Sequence, residues 1–176
     1  MLKQKYLPHY TVTDYQKWEG DWELIAGIPY AMVPSPSFLH QRIAGRLFVQ
    51  IETALETCPD CIAVYETDWI VSDDTVVRPD ILVTCEPVSE DYLTRPPRLI
   101  VEVLSPATRS KDERLKRRLY AEQGVRFYLI VDPAERRLRV LELTGQDYQE
   151  HPPANAALTL DLAPCTVKID LQRLWP

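Results

Sequence analysis

Glycine is scarce in this chain, with five in 176 residues. No G-x-G-x-x-G and no G-K-[ST] occurs, which excludes the backbone phosphate cradles of dinucleotide-binding and P-loop proteins. No apolar run reaches the roughly 18–20 residues that a membrane helix needs. The opening "MLKQKYLPHYTVTD" has no signal-peptide apolar core, so a cytoplasmic protein without a membrane partner is expected. Internal repeats and low-complexity segments are absent. Positive charge is in deficit: 20 Lys and Arg stand against 26 Asp and Glu, a net charge of −6. That excludes indiscriminate binding to nucleic acid but leaves room for a local basic surface.

What is present is ordinary for a packed protein. Apolar residues make up 45% and charged residues 26% of the sequence, and the length suits one domain, residues 1–176, with its own core. Of the four cysteines, Cys58-Pro-Asp-Cys61 forms a C-x-x-C, a spacing used by zinc and by redox sites. A tetrahedral zinc needs four ligands. Cys85 and Cys165 stand isolated and no second C-x-x-C exists, while a thioredoxin-like pair would open a helix after a strand. Here the pair follows a helix, so the expectation is reduced thiols near a helix end; a thiol or zinc protein built on Cys58 and Cys61 is the weaker reading.

The sequence is organised around "RLIVEVLSPATRSKDERLKRRLY", residues 98–120. It opens as a strand in which Glu102 shares a face with Ile100 and Leu104. A carboxylate there costs several kcal/mol, on the order of the buried-ion penalty, unless a cation or donor meets it. Ser105-Pro106 stops the strand. Ser110 and Glu113 read as a capping box for a helix on which Asp112, Lys116 and Tyr120 share one face. A second acid, Asp80, opens the strand "DILVTC" after Pro79. If the two strands pair, Asp80 and Glu102 lie side by side, and carboxylates so placed repel unless a divalent cation joins them. Mg²⁺ is suited to one or two carboxylates plus other oxygens. The competing reading gives Asp80 a turn-capping role and Glu102 a structural ion pair.

The remaining elements follow from pattern. Thr13 or Asp14 caps a short helix ending at Gly20. "DWELIAGIPYAMV" is a hairpin turning at Ala26-Gly27. Ser35-Pro36 and Ser37 introduce a helix with Leu39, Ile43, Leu47, Ile51 and Leu55 as its apolar stripe, closing before Pro59. His40 and Gln41 lie in its first turn. Two or three strands span 63–85, turning at Ser72-Asp73-Asp74. "VRFYLIVD", "RLRVLEL" and "CTVKIDL" are later strands. This order suits an α/β domain with a mixed central sheet flanked by helices, which the opening hairpin and last strand extend or cover.

Pro79-Asp80, Glu102-Val103-Leu104-Ser105-Pro106, Asp112, Lys116, Tyr120, Gly124-Val125 and Tyr128 together resemble the Uma-two family, restriction-endonuclease-like proteins of the PD-(D/E)XK nuclease superfamily. The resemblance runs nearly end to end. It implies a restriction-endonuclease-like fold and hydrolysis of DNA phosphodiesters with Mg²⁺, Mn²⁺ able to substitute. It implies Asp80 and Glu102 as metal ligands and His40 as a supporting catalytic residue. The superfamily's lysine two residues after the glutamate is replaced by Leu104; in this family the basic role passes to the next helix, hence to Lys116. Arg109, Lys111 and Arg114, in the basic segment 109–118, are the phosphate-contacting set expected with that function. Cutting both strands favours a homodimer. The acidic balance and Leu104 leave a second reading, a DNA-binding or scaffold protein on a nuclease fold that has lost its chemistry.

Overall fold

The computed structural model describes residues 7–32, 36–88, 92–153 and 156–176. At its centre is a six-stranded sheet built from β3 (Ile62–Tyr65), β6 (Ile81–Thr84), β7 (Leu99–Val103), β8 (Phe127–Asp132), β9 (Arg137–Thr144) and β10 (Asp147–Glu150), in the order β10-β9-β8-β7-β6-β3. Only β7 and β8 run parallel. Parallel neighbours need a crossover, and the chain supplies a helix there. Every residue of β6, β7 and β8 is buried, as expected for central strands covered on both faces. The fold is a mixed α/β, restriction-endonuclease-like one.

Alternation along these strands divides the interior in two. Ile81, Val83, Val101 and Val103 pack against helix α2 (Phe38–Leu55) and the hairpin β11 (Ala157–Asp161) with β12 (Thr166–Asp170). Leu82, Ile100, Leu104, Tyr128 and Ile130 face the other way, toward Tyr120 and Val125 and toward a second sheet. That sheet has the order β2-β1-β5-β4, from β1 (Trp22–Ile25), β2 (Ile28–Ala31), β4 (Trp69–Ser72) and β5 (Thr75–Val77). The opening hairpin therefore covers the main sheet rather than extending it, pairing through Leu24 and Val76 into the second sheet packed on its face. Region 63–85 carries four strands rather than two or three, because the short connector Glu66–Asp68 moves the chain from one sheet to the other.

Local rules account for most element ends. Ala26 and Gly27 both have positive φ, 51° and 75°, the geometry of the tight hairpin turn that matches strand twist. Ser37 accepts a hydrogen bond from the His40 N–H at 3.1 Å and caps α2; Ser35 lies outside the described residues. The first helix, α1 (Val12–Tyr15), is capped at Thr11, two or three residues before the expected cap, with the Asp14 carboxylate accepting from the Thr11 N–H at 2.9 Å. In α2, Ile43, Leu47, Ile51 and Leu55 are buried, but Leu39 is exposed. A four-residue step advances about 40° round a helix, so Leu39 stands about 80° from Leu47, while His40, seven residues from Leu47, falls within about 20° of it. The face turned inward at this end belongs to His40.

The expectation of unpaired thiols is corrected. Cys58 pairs with Cys165 and Cys61 with Cys85. Cys165 arrives from 107 residues away because the β11–β12 hairpin folds back onto α2. No spacing in the sequence reports that approach.

Leu47 lies at the middle of the interface between α2 and the sheet and is fully buried. Leu47→Ala is expected to lower unfolding free energy by about 2–5 kcal/mol, read as a shift in denaturant midpoint at constant slope.

Candidate active site

The site forms where β7 ends, β6 begins and the following helix returns. Ser105 and Thr108, not Ser110 and Glu113, open that helix: the Thr108 N–H donates to the Ser105 hydroxyl at 3.2 Å, and the two side-chain oxygens are 3.1 Å apart. Ser110 is already helical and caps nothing. A π-helical turn, Lys111–Lys116, then runs into α3 (Arg117–Glu122). A π turn closes on residue i+5, so Lys111 stands over Lys116; in an α turn it would point about 140° away. The wider turn places two lysines on the inner side.

Lys116 is buried among three carboxylates. Its Nζ is 2.8 Å from Glu102 Oε1, 2.7 Å from Glu23 Oε1 and 3.6 Å from Asp112 Oδ1. The last is an ion pair without a hydrogen bond, and Asp112 Oδ1 is a buried oxygen lacking a donor. Glu102 Oε1 also accepts from the Tyr120 hydroxyl at 2.9 Å. Glu23, on β1, accepts from the Arg78 N–H at 2.9 Å through Oε1 and from Lys111 through Oε2. Tyr128 donates to the Asp112 carbonyl at 3.1 Å, and its ring meets Tyr120 edge-on at 5.0 Å. The aromatic pair fixes the helix over β7 and β8.

Asp80 occupies the bend before β6. The register sets Ile81 opposite Val101, and its continuation sets Asp80 opposite Glu102. Asp80 Oδ2 accepts from the Val103 N–H at 2.6 Å and lies 3.3 Å from His40 Nε2. Among the described residues, no donor reaches Asp80 Oδ1 or Glu102 Oε2. Glu66, beside them, has a φ of 46° and donates its N–H to the Asp80 carbonyl at 3.1 Å. Such strain in a residue other than glycine concentrates at functional sites.

The charges do not balance. Glu23, Glu102 and Asp112 face two lysines, and Asp80 faces His40. Burial and the neighbouring Asp112, Asp80 and Glu23 raise the Glu102 carboxyl well above its ordinary value, against the pull of Lys116. Burial also raises Asp112, Lys116 opposing it. Glu23 goes the other way: burial works to raise it, but Lys116 and Lys111 together outweigh burial and lower it. Burial would discharge Lys116, but Glu102, Glu23 and Asp112 hold it protonated. Thus one ammonium serves three acids, and Glu102 is left the hardest to ionise. Burial lowers His40, yet its hydrogen bond to Asp80 and the Asp80 charge win and raise it.

Of the residues singled out from sequence, the structure joins Glu102 to Lys116 directly and Asp80 to His40 directly. The two pairs meet through the Val103 N–H. Lys111 is turned into the cluster and paired with Glu23, its side chain 14% exposed. Arg109 lies nearer the surface, 2.8 Å from Asp132. Arg114 is exposed and, among the described residues, pairs with no acid. Glu23 went unread, although it carries the signal that marked Glu102, an acid inside an apolar strand, "WELI".

Metal-free stability should carry the signature of Glu102. Its folded pKa lies above its ordinary value of 4.5, so the native chain keeps a proton that the unfolded chain releases. Stability from this group is complete below 4.5 and declines as pH rises toward the folded value. Glu23, shifted down, contributes in the opposite sense, its stabilisation lost as pH falls below 4.5. In the presence of a chelator, Glu102→Gln should therefore gain on the parent as pH is raised from 4.5, in melts run across that range. Parallel pH profiles for the two proteins would refute the assignment.

The architecture has a solved counterpart. The chain is similar to the crystal structure of a "putative nuclease belonging to DUF820" from Anabaena variabilis, with TM-score 0.77 and 18% identity, over 94% of this chain and 97% of that one. No curated protein matches. The model of the Uma2 family, described as "Putative restriction endonuclease", matches residues 12–172. Spanning that match from the first helix to the last turn, the chain belongs to the Uma2 family.

Proposed function

We propose that this protein is a divalent-metal-dependent nuclease that hydrolyses DNA phosphodiester bonds, with Asp80 and Glu102 as the metal ligands. The observation that carries the reading is the uncompensated acid cluster. Three carboxylates, Glu23, Glu102 and Asp112, share two lysines while Asp80 is met by His40, and among the described residues Asp80 Oδ1 and Glu102 Oε2 sit across one strand pair without donors. Oxygen donors of this kind suit Mg²⁺, with Mn²⁺ as a substitute. Such an ion would supply charge neutralisation at the scissile phosphate and lower the pKa of a water.

The residues of the chain do the remainder. The Val103 N–H and His40 fix Asp80 Oδ2, so its other oxygen is aimed. Lys116 is held charged by Glu102, Glu23 and Asp112, which makes it an electrostatic stabiliser of developing negative charge rather than a free base. Lys111 neutralises the outer oxygen of Glu23 and keeps Lys116 available to Glu102. Arg109 and Arg114 provide backbone contacts away from the reacting phosphate. The same reading places the protein in the cytoplasm as a homodimer of single-domain chains, one site for each strand.

A second reading has its own observation. Glu102 Oε1 is filled by Lys116 and Tyr120, and the residue is 4% exposed. A site so closed would suit a DNA-binding or scaffold protein that no longer cuts.

Two measurements separate these. Asp80→Asn keeps an oxygen for the Val103 N–H and removes the charge. The parent should melt higher with added Mn²⁺ or Mg²⁺, since a ligand of the folded state stabilises it through its affinity; Asp80→Asn should not, and should lose cleavage of plasmid DNA. Lys116→Ala is the poorer probe, because stripping the cation from three buried acids costs about 3–5 kcal/mol. Metal-independent melting of the parent, with DNA binding but no cleavage, would establish the second reading.

DNA affinity should fall with salt at a slope of about −0.9 per phosphate neutralised. Arg114→Ala should make that slope shallower by about one without altering sequence preference. Lys111→Ala should leave the slope unchanged, because its ammonium belongs to Glu23. An equal effect of the two variants would contradict the placement of Lys111.

A further inference from the structure

None of the four cysteines takes part in the site above, yet three of them meet at one point of the fold and the fourth, Cys85, is bonded to one of those three. Cys58 and Cys61 bracket the turn from α2 into β3, where the Cys61 N–H donates to the Cys58 carbonyl at 3.3 Å. Cys85 follows β6. Because Ile62 stands opposite Thr84, Cys61 faces Cys85 directly across the strand pair, their Cα atoms 4.0 Å apart. Cys165 enters from the β11–β12 turn, its Sγ 3.8 Å from the Cys58 carbonyl oxygen. The sulfurs of Cys58, Cys61 and Cys165 lie within 4.8 Å of one another, and Cys85 is bonded to Cys61.

Two disulfide staples have no reason to coincide, since each acts by closing its own loop. A single tetrahedral ion requires coincidence: Zn–S bonds of about 2.3 Å put the four sulfurs roughly 3.8 Å apart. The Cys58–Cys61 spacing is that of a zinc-binding turn. Cys61 to Cys85 is also shorter between Cα atoms than the roughly 4.4–6.8 Å usual for a disulfide, whereas two thiolates on one ion need no bond between them. With Cys61 and Cys165 buried and the other two half-buried, the cluster is closed, as structural zinc sites are.

We propose that, as thiolates, Cys58, Cys61, Cys85 and Cys165 bind one structural Zn²⁺. The ion joins the C-terminal end of α2, the β3–β6 edge and the β11–β12 hairpin. A two-stranded hairpin is marginal alone, and this one lies on the helix whose other end carries His40. Entry into this state balances simply. Two equivalents of a dithiol reduce the two disulfides to four thiols and become two cyclic disulfides; zinc then displaces the four thiol protons.

The test uses the whole chain, reduced with a dithiol under nitrogen, loaded with zinc and dialysed against a weak chelator. The expected result is one zinc per chain by metal analysis. Replacement with Co²⁺ should give an intense near-ultraviolet sulfur-to-cobalt band and the strong visible bands of tetrahedral coordination. Both should persist in Asp80→Asn, whose oxygen site cannot produce a sulfur band, so this result is independent of the proposed nuclease site. Cys165→Ser should weaken the sulfur band and lower zinc affinity beyond the roughly 10–100-fold typical of losing a second-shell partner. Reduced protein with four titratable thiols but no retained zinc would overturn the proposal. So would a Co²⁺ spectrum without the sulfur band, or both disulfides surviving the dithiol intact by mass.

Discussion

The buried ammonium of Lys116 is the constraint on which the site depends. It lies within 4 Å of Glu23, Glu102 and Asp112, which come from β1, β7 and its own helix. Each of these acids would be costly at its position without a cation. Lys116 therefore holds the second sheet, the central sheet and the crossover helix in one electrostatic register. The arrangement is not neutral. Lys111 relieves Glu23, but nothing equivalent relieves Glu102, and its carboxyl is raised in consequence. Local stability has been given up at the position where Asp80 approaches from the neighbouring strand.

That position also joins the two halves of the interior. Glu102 belongs to the face shared with Tyr120 and Tyr128, whereas His40 comes from α2, on the opposite face. Asp80 bridges them, its Oδ2 held by the Val103 N–H and by His40. The strand pair ends here, so side chains from both layers can reach one another round its edge without crossing the sheet. An ion bound at Asp80 and Glu102 would sense the packing of α2 as well as that of α3.

The sequence made some of this legible and hid the rest for identifiable reasons. Glu102 was readable because a carboxylate between Ile100 and Leu104 violates the pattern of a buried strand. The hairpin at Ala26-Gly27 and the stripe Ile43, Leu47, Ile51 and Leu55 were readable because turn chemistry and helical period are local properties. Glu23 violates its strand in the same manner, but in a four-residue strand with a half-exposed neighbour the violation is weak. The convergence of the cysteines is long-range, and C-x-x-C spacing exposes only half of it. Arg109 and Lys111 illustrate the sharpest limit. Both lie in a basic run that looks like a solvated face, and one residue between them marks the change from a surface position to a cluster position.

The π turn explains that change, and it bears on why the lysine can stand in the helix at all. In the superfamily pattern the lysine follows the glutamate on the same strand, where its distance from the carboxylate is fixed by the strand's rise. Here Leu104 occupies that place and is buried, so the cation must reach Glu102 from outside the sheet. An ordinary α turn would bring one inward-facing lysine, Lys116, and leave Glu23 to compete with Glu102 for it. The π turn adds Lys111 on the same side, which meets the other oxygen of Glu23 while Lys116 stays shared between Glu23 and Glu102. The wide turn thus brings two lysines to the three acids Glu23, Glu102 and Asp112. With Leu104 apolar and buried, the cations that meet Glu102 and Glu23 come from the wide turn at Lys111–Lys116.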